Sequence, residues 1–111
     1  PDHMAAGESA IQAVYPDSRN PFAFTDLLEK ENLAPWTVPE VWVMGHPHPD
    51  HFVDTTDFFE KKIQALKAHE SQTGHMEDMP GMVRMWGERL GERGGLPSGR
   101  TAEAFKKVMT N

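Results

Sequence analysis

Two short strings carry side chains able to do chemistry together. His46-Pro47-His48-Pro49-Asp50-His51 places three imidazoles and a carboxylate within one hexapeptide. Neutral imidazoles and a carboxylate at that spacing can hold divalent metal, and metal held that way activates water for hydrolysis. Pro1-Asp2-His3 sets a carboxylate beside an imidazole at the start of a helical pattern. The sequence has six histidines, 17 acidic residues and no cysteine, so any metal must be held by imidazole and carboxylate groups. Disulfides and thiolate sites are excluded, and a reducing, cytoplasmic location is the expectation. Asp54, His69 and Gln72 are the other marked polar residues.

The elements that must position these groups follow from periodicity. His3, Gly7, Ala10, Ile11 and Val14 fall on one stripe, which predicts a helix over Asp2–Val14 with Asp2 as its cap and His3 turned inward. Tyr15-Pro16-Asp17 ends it, and a short second helix is expected within Phe22–Glu31. Glu40–Met44 (EVWVM) is apolar on both faces, as a strand covered on both sides must be, and Gly45 closes it. Phe52-Val53 suggests a second short strand. Asp57–His69 is predicted helical, with Asp57 as cap, Glu60 at the capping-box position and Phe59, Ile63 and Leu66 as its apolar stripe. A further helix is expected over Pro80–Leu90, with Met82, Met85, Trp86 and Arg89 on one side. GERGGLPSG at 91–99 reads as a loop, and Thr101–Met109 as a terminal element of either type. Helices alternating with a two-sided strand imply an α/β layer, but one or two strands make a poor sheet. Part of a larger domain is the expectation.

Composition narrows the function classes. A length of 111 residues allows one domain at most. The formal net charge is −6, which argues against a general nucleic-acid binder, because such a protein needs a basic face. No run approaches the roughly 20 apolar residues of a membrane span, so no membrane partner is expected. Met76, Met79, Met82 and Met85 cluster into an adaptable apolar contact surface, usable by missing parts of the domain or by a second copy in a homo-oligomer.

The His46–His51 string resembles the dinuclear zinc motif of the metallo-β-lactamase superfamily. That resemblance stops at six residues, and the plainer reading is a proline- and histidine-rich surface loop. A longer resemblance starts from PDHMAAGESAIQAVYPDSRNPFAF at 1–24, followed by LAPWTVPEVWVMG at 33–45, PDHFVDTTDFFEKKIQALKAHESQ at 49–72 and AEAF at 102–105. These pieces, in this order, resemble the middle and C-terminal parts of PIG-L/LmbE-like zinc N-deacetylases. The family's patterns there read H-P-D-H-R-x-A-G, A-V-Y-P-x-A-R-N-P, V-D-[IV]-T, K-x-x-A-L-x-A-H-x-S-Q and A-E-A-F.

The resemblance implies a Rossmann-like three-layer α/β fold, of which residues 1–111 would be the C-terminal portion. It also implies Zn2+-dependent hydrolysis of an N-acetyl or related amide on an N-acetylglucosamine-type or sugar-conjugate small molecule. By position, His3 is a zinc ligand and Asp2 occupies the motif's acidic slot, supporting the ligand from behind. The family's other ligands and its catalytic base belong to an A-H-P-D-D-E segment that this sequence does not contain, so no catalytic base is expected in this chain and the chain alone should be inactive. The first histidine of H-P-D-H would precede Pro1, and Met4 stands where the family has Arg. Asp54 in VDTT is expected to pin a turn, while His69 and Gln72 match H-x-S-Q at a helix end in a hydrogen-bonding or pocket role. Two other classes remain open: a non-catalytic interaction module, and a hydrolase using His46–His51.

Overall fold

The computed structural model describes residues 1–111. The chain divides into two compact units, Pro1–Val41 with Val108–Asn111, and Trp42–Lys107. The first unit begins with α1, Asp2–Val14, over the residues the stripe predicts. Its cap differs from expectation. Pro1 holds the N-cap position and Asp2 is the first helical residue, with no side-chain cap bond. The stripe is also not turned inward: α1 buries no residue, Ile11 is 52% exposed and His3 is exposed. A 3.6-residue period sets which side chains share a face, but burial needs an apolar surface opposite that face.

Tyr15 turns the chain extended, and the Ser18 hydroxyl donates to the Val14 carbonyl at 2.8 Å, closing the helix end. A 3-10 turn follows over Asp17–Arg19, then α2 over Thr25–Glu31, shorter than the predicted span. The Trp36 amide donates to the Ser18 carbonyl at 2.7 Å, fixing the segment after α2 against that turn. The last residues are held in the same unit. The Arg19 guanidinium donates to the Thr110 carbonyl, the Thr110 hydroxyl to the Val38 carbonyl, and the Thr110 amide to the Pro39 carbonyl at 3.0 Å.

The sheet has three strands in the order β1-β3-β2, with β1 at Glu40–Met44, β2 at His51–Asp54 and β3 at Ala102–Met109. The ambiguous terminal element is therefore a strand, and the central one. β1 and β3 each contribute residues to both units. Trp42, Val43 and Met44 are exposed, so the two-sided cover expected of β1 is not supplied within these residues. Gly45 ends β1 with φ +68°, a conformation that costs glycine little and other residues more.

In the second unit, β2 pairs antiparallel with β3 in the register His51↔Phe105, Phe52↔Ala104, Val53↔Glu103 and Asp54↔Ala102. A 3-10 turn at Thr56–Phe58 leads into α3, Phe59–Lys67, and Asp57 makes no cap bond. A short helical turn α4, Glu70–Thr73, precedes α5, Met79–Arg93. Asp78 caps α5 by accepting from the Gly81 amide at 2.9 Å, and Pro80 lies in its first turn, where a missing N–H costs nothing. Phe59 and Ile63 of α3 meet Met79 and Val83 of α5 in the core, with Leu66 and Met76 packed against them. Met79 and Val83 are thus the apolar residues that α5 buries, and Met76 and Met79, expected in a contact surface, belong to this core instead. Gly91 is buried where a Cβ would stand 2.3 Å from the Arg100 carbonyl oxygen, so helix and loop approach there as only glycine permits. The loop begins at Gly94, three residues later than predicted, because α5 runs on through Arg93.

Candidate functional site

Asp2 and His3 lie in the first turn of α1, both exposed. Neither side chain is engaged in a hydrogen bond or ion pair, so the carboxylate and both ring nitrogens are available to an incoming group. A single imidazole with a neighbouring carboxylate fits one corner of a zinc site in donor chemistry, and a complete site needs two further protein donors. No group of three or more His, Asp or Glu side chains anywhere in the chain is gathered as a metal would require.

The His46–His51 string is dispersed by the structure into separate tasks. The His46 ring Nδ1 accepts from the His48 amide at 3.1 Å, and the two rings stand 6.2 Å apart, edge to face. Asp50 is paired with the Lys106 ammonium and accepts from the Lys107 amide at 2.9 Å. Lys106, and then the Lys107 amide, hold its carboxyl below the usual carboxylate range. His51 begins β2 and packs its ring on Trp42, centroids 4.2 Å apart. Proline spacing and strand pairing thus send these donors to different neighbours.

Asp54 does pin a turn, and does more. One carboxylate oxygen accepts from the Thr56 amide at 3.0 Å and the Thr56 hydroxyl at 2.7 Å, while the other accepts from Arg100 Nε at 2.5 Å. The Thr101 amide donates to the Thr56 hydroxyl at 3.0 Å, and the Thr55 amide donates to the Thr101 carbonyl at 2.8 Å. The network joins the end of β2 to the start of β3. Arg100, and then Thr56, lower the Asp54 pKa from 3.8 to about 2. Both carboxylate oxygens of Asp54 are engaged inside the cluster, which makes it a fastening between the two strand ends.

Its pH dependence has a definite sign. A carboxylate whose pKa is depressed on folding contributes stability above its unfolded value, and that contribution disappears as pH falls through the folded value. Wild-type protein and an Asp54→Asn variant are therefore expected to differ most in urea midpoint above pH 4, and to converge as pH falls toward about 2. A difference unchanged over that window would show that the Asp54 charge contributes nothing.

His69 stands at the N-cap of α4, where its carbonyl accepts from the Gln72 amide at 2.9 Å and the Thr73 hydroxyl at 3.1 Å. Gln72 is in the same turn, and both side chains are exposed. The backbone of this pair builds the turn between α3 and α5. Within the second unit, the Asp54 carboxylate is bonded to Thr56 and Arg100, while His69 and Gln72 belong to the α4 turn. Sequence reading missed Arg100, whose partner Asp54 lies 46 residues away. It also passed over Asp17 and Trp36, which line a groove of the first unit.

The chain is similar to a protein named diacetylchitobiose deacetylase from Thermococcus kodakarensis. Identity is 36% over 72 residues, covering 65% of this chain and 26% of that protein. The chain therefore spans about a quarter of the length of the curated relative it matches. No family model matches the chain, and no solved structure matches it. No helix is long and apolar enough to cross a membrane.

Proposed function

We propose that this chain is the C-terminal portion of a PIG-L/LmbE-like zinc-dependent N-deacetylase with a Rossmann-like three-layer fold. Its substrate is an N-acetyl or related amide on an N-acetylglucosamine-type or other sugar-conjugate small molecule. The observation that carries this reading is the 36% identity to a protein named for deacetylating diacetylchitobiose. In this reading His3 holds zinc through an imidazole nitrogen, presented from the first turn of α1. Asp2, its neighbour in the chain, accepts a hydrogen bond that fixes the orientation and basicity of a liganding group. Zinc, when bound, supplies Lewis-acid chemistry at the amide carbonyl. The general base is not among the residues of this chain. The enzyme is cytoplasmic, with neither nucleic acid nor membrane as partner.

The test is amine release from an N-acetylglucosamine-type amide. Protein expressed with its upstream coding sequence is expected to release amine, to stop on chelation and to recover with added zinc. The 111-residue chain alone is expected to release none, because one of the three ligands a catalytic zinc needs is present. Chelator-insensitive release by the longer protein, or zinc-restored turnover by the short chain, would contradict the proposal.

A further inference from the structure

The first unit contains a groove of about 550 Å3 between α1, the 17–19 turn, α2 and the 33–36 segment. That volume lies within the range of sites that enclose a small organic ligand. Leu27, Leu28 and Leu33 supply its apolar wall. Two aromatic rings line it while remaining largely uncovered, Trp36 at 69% and Phe24 at 65% exposure. The Trp36 position is fixed by its backbone bond to Ser18, so an open aromatic face is presented by a tethered segment.

The polar groups of the groove are unbalanced. Asp17 is half-buried there, its carboxylate has no hydrogen-bond or ion-pair partner, and no Lys, Arg or His lines the groove. Gln12 uses its amide nitrogen on Glu8 at 3.2 Å, which leaves its carbonyl oxygen open. Asn20 uses its carbonyl oxygen on the Phe22 amide at 3.0 Å, which leaves its NH2 open. Counting what each group can still do, acceptors outnumber donors, and the one charge is negative. The matching ligand carries a positive charge, several hydroxyl donors and an apolar face. A protonated amine gains from both a carboxylate and an aromatic face, and the C–H face of a sugar ring packs on indole.

We propose that this groove binds an amino sugar, its ammonium held by Asp17 with the Trp36 and Phe24 rings, and its hydroxyls by Gln12 and Asn20. The ammonium and aromatic parts rest on the groove alone. The choice of a sugar as carrier rests also on the deacetylase reading, because hydrolysis of an N-acetyl sugar amide leaves that amine.

The experiment is a nuclear magnetic resonance titration of the isotopically labelled 111-residue chain, which has three tryptophans and so three indole N–H signals. Trp36 is assigned by its disappearance in Trp36→Phe. Glucosamine, N-acetylglucosamine, glucose and methylammonium are added near neutral pH at matched ionic strength. Glucosamine is expected to shift the Trp36 signal saturably and leave Trp42 and Trp86 in place. The other three should bind about tenfold more weakly, and Asp17→Asn should weaken glucosamine by about tenfold with the remaining spectrum unchanged. Absence of saturation, an equal response to all three sugars, or shifts spread over Trp42 and Trp86 would overturn the proposal. So would methylammonium binding as tightly as glucosamine. None of these results bears on the deacetylase reading, which the chelation assay decides separately.

Discussion

Phe59→Ala is expected to remove about 3–5 kcal/mol of stability from the second unit, the range for emptying a buried phenylalanine site. Phe59 is 5% exposed and shares the core with Ile63, Met79 and Val83, so truncating it opens a cavity among them. The Arg84 guanidinium also lies 4.0 Å from the ring centroid and would lose that face. Because the core comprises few fully buried side chains, such a loss is a large fraction of what a unit this small can hold. The comparison is Trp86→Ala, a bulkier truncation at a residue 52% exposed. Urea unfolding followed by circular dichroism should show the Phe59 variant largely unfolded, with the Trp86 variant changed by about 1 kcal/mol or less. Equal costs at the two positions would mean that the core lies elsewhere.

The same core shows what the sequence could and could not disclose. Phe59, Ile63 and Leu66 recur at helical spacing among charged residues, so both α3 and its inward face were legible. Gly45 after EVWVM, and the short strand around Phe52-Val53, were legible for equally local reasons. α5 was legible, but which of its faces is buried was not. Methionine and tryptophan occupy more than one side of it, and Val83 is the inward residue only because α3 lies opposite. AEAFKKVM could not be typed alone, because its strand state comes from pairing with residues about fifty positions earlier.

The candidate sites divide in the same way. Asp54 was legible as a turn residue, since the Asx-type bond to Thr56 is local. Its pairing with Arg100 was not, because no local pattern reports a partner 46 residues away. The His46–His51 string is the opposite case: local spacing allowed a metal site beside the plainer reading of a surface loop, and pairing with Lys106, 56 residues away, and packing on Trp42 engage Asp50 and His51 elsewhere. At His3 the helix was legible, while the inward direction of its stripe was not, since α1 buries none of it within these residues.

His3 carries the largest expected functional effect. In the longer zinc deacetylase proposed above, His3→Ala would remove one of three protein ligands. Bound metal and amine release should then fall together, turnover by at least about 100-fold, since even residues that merely support a ligand cost 10–100-fold when lost. Asp2→Ala should fall within that milder range, with part of the metal retained. Replacing His46, His48 and His51 together by Ala should leave the metal in place, although losing the His51–Trp42 ring contact will cost some stability. The deciding measurement is zinc per chain after exhaustive dialysis of the longer protein and these variants. The account predicts full occupancy in wild type and the triple variant, and near-zero occupancy in His3→Ala. Zinc kept by His3→Ala and lost by the triple variant would place the metal at the hexapeptide and contradict the assignment to the deacetylase family.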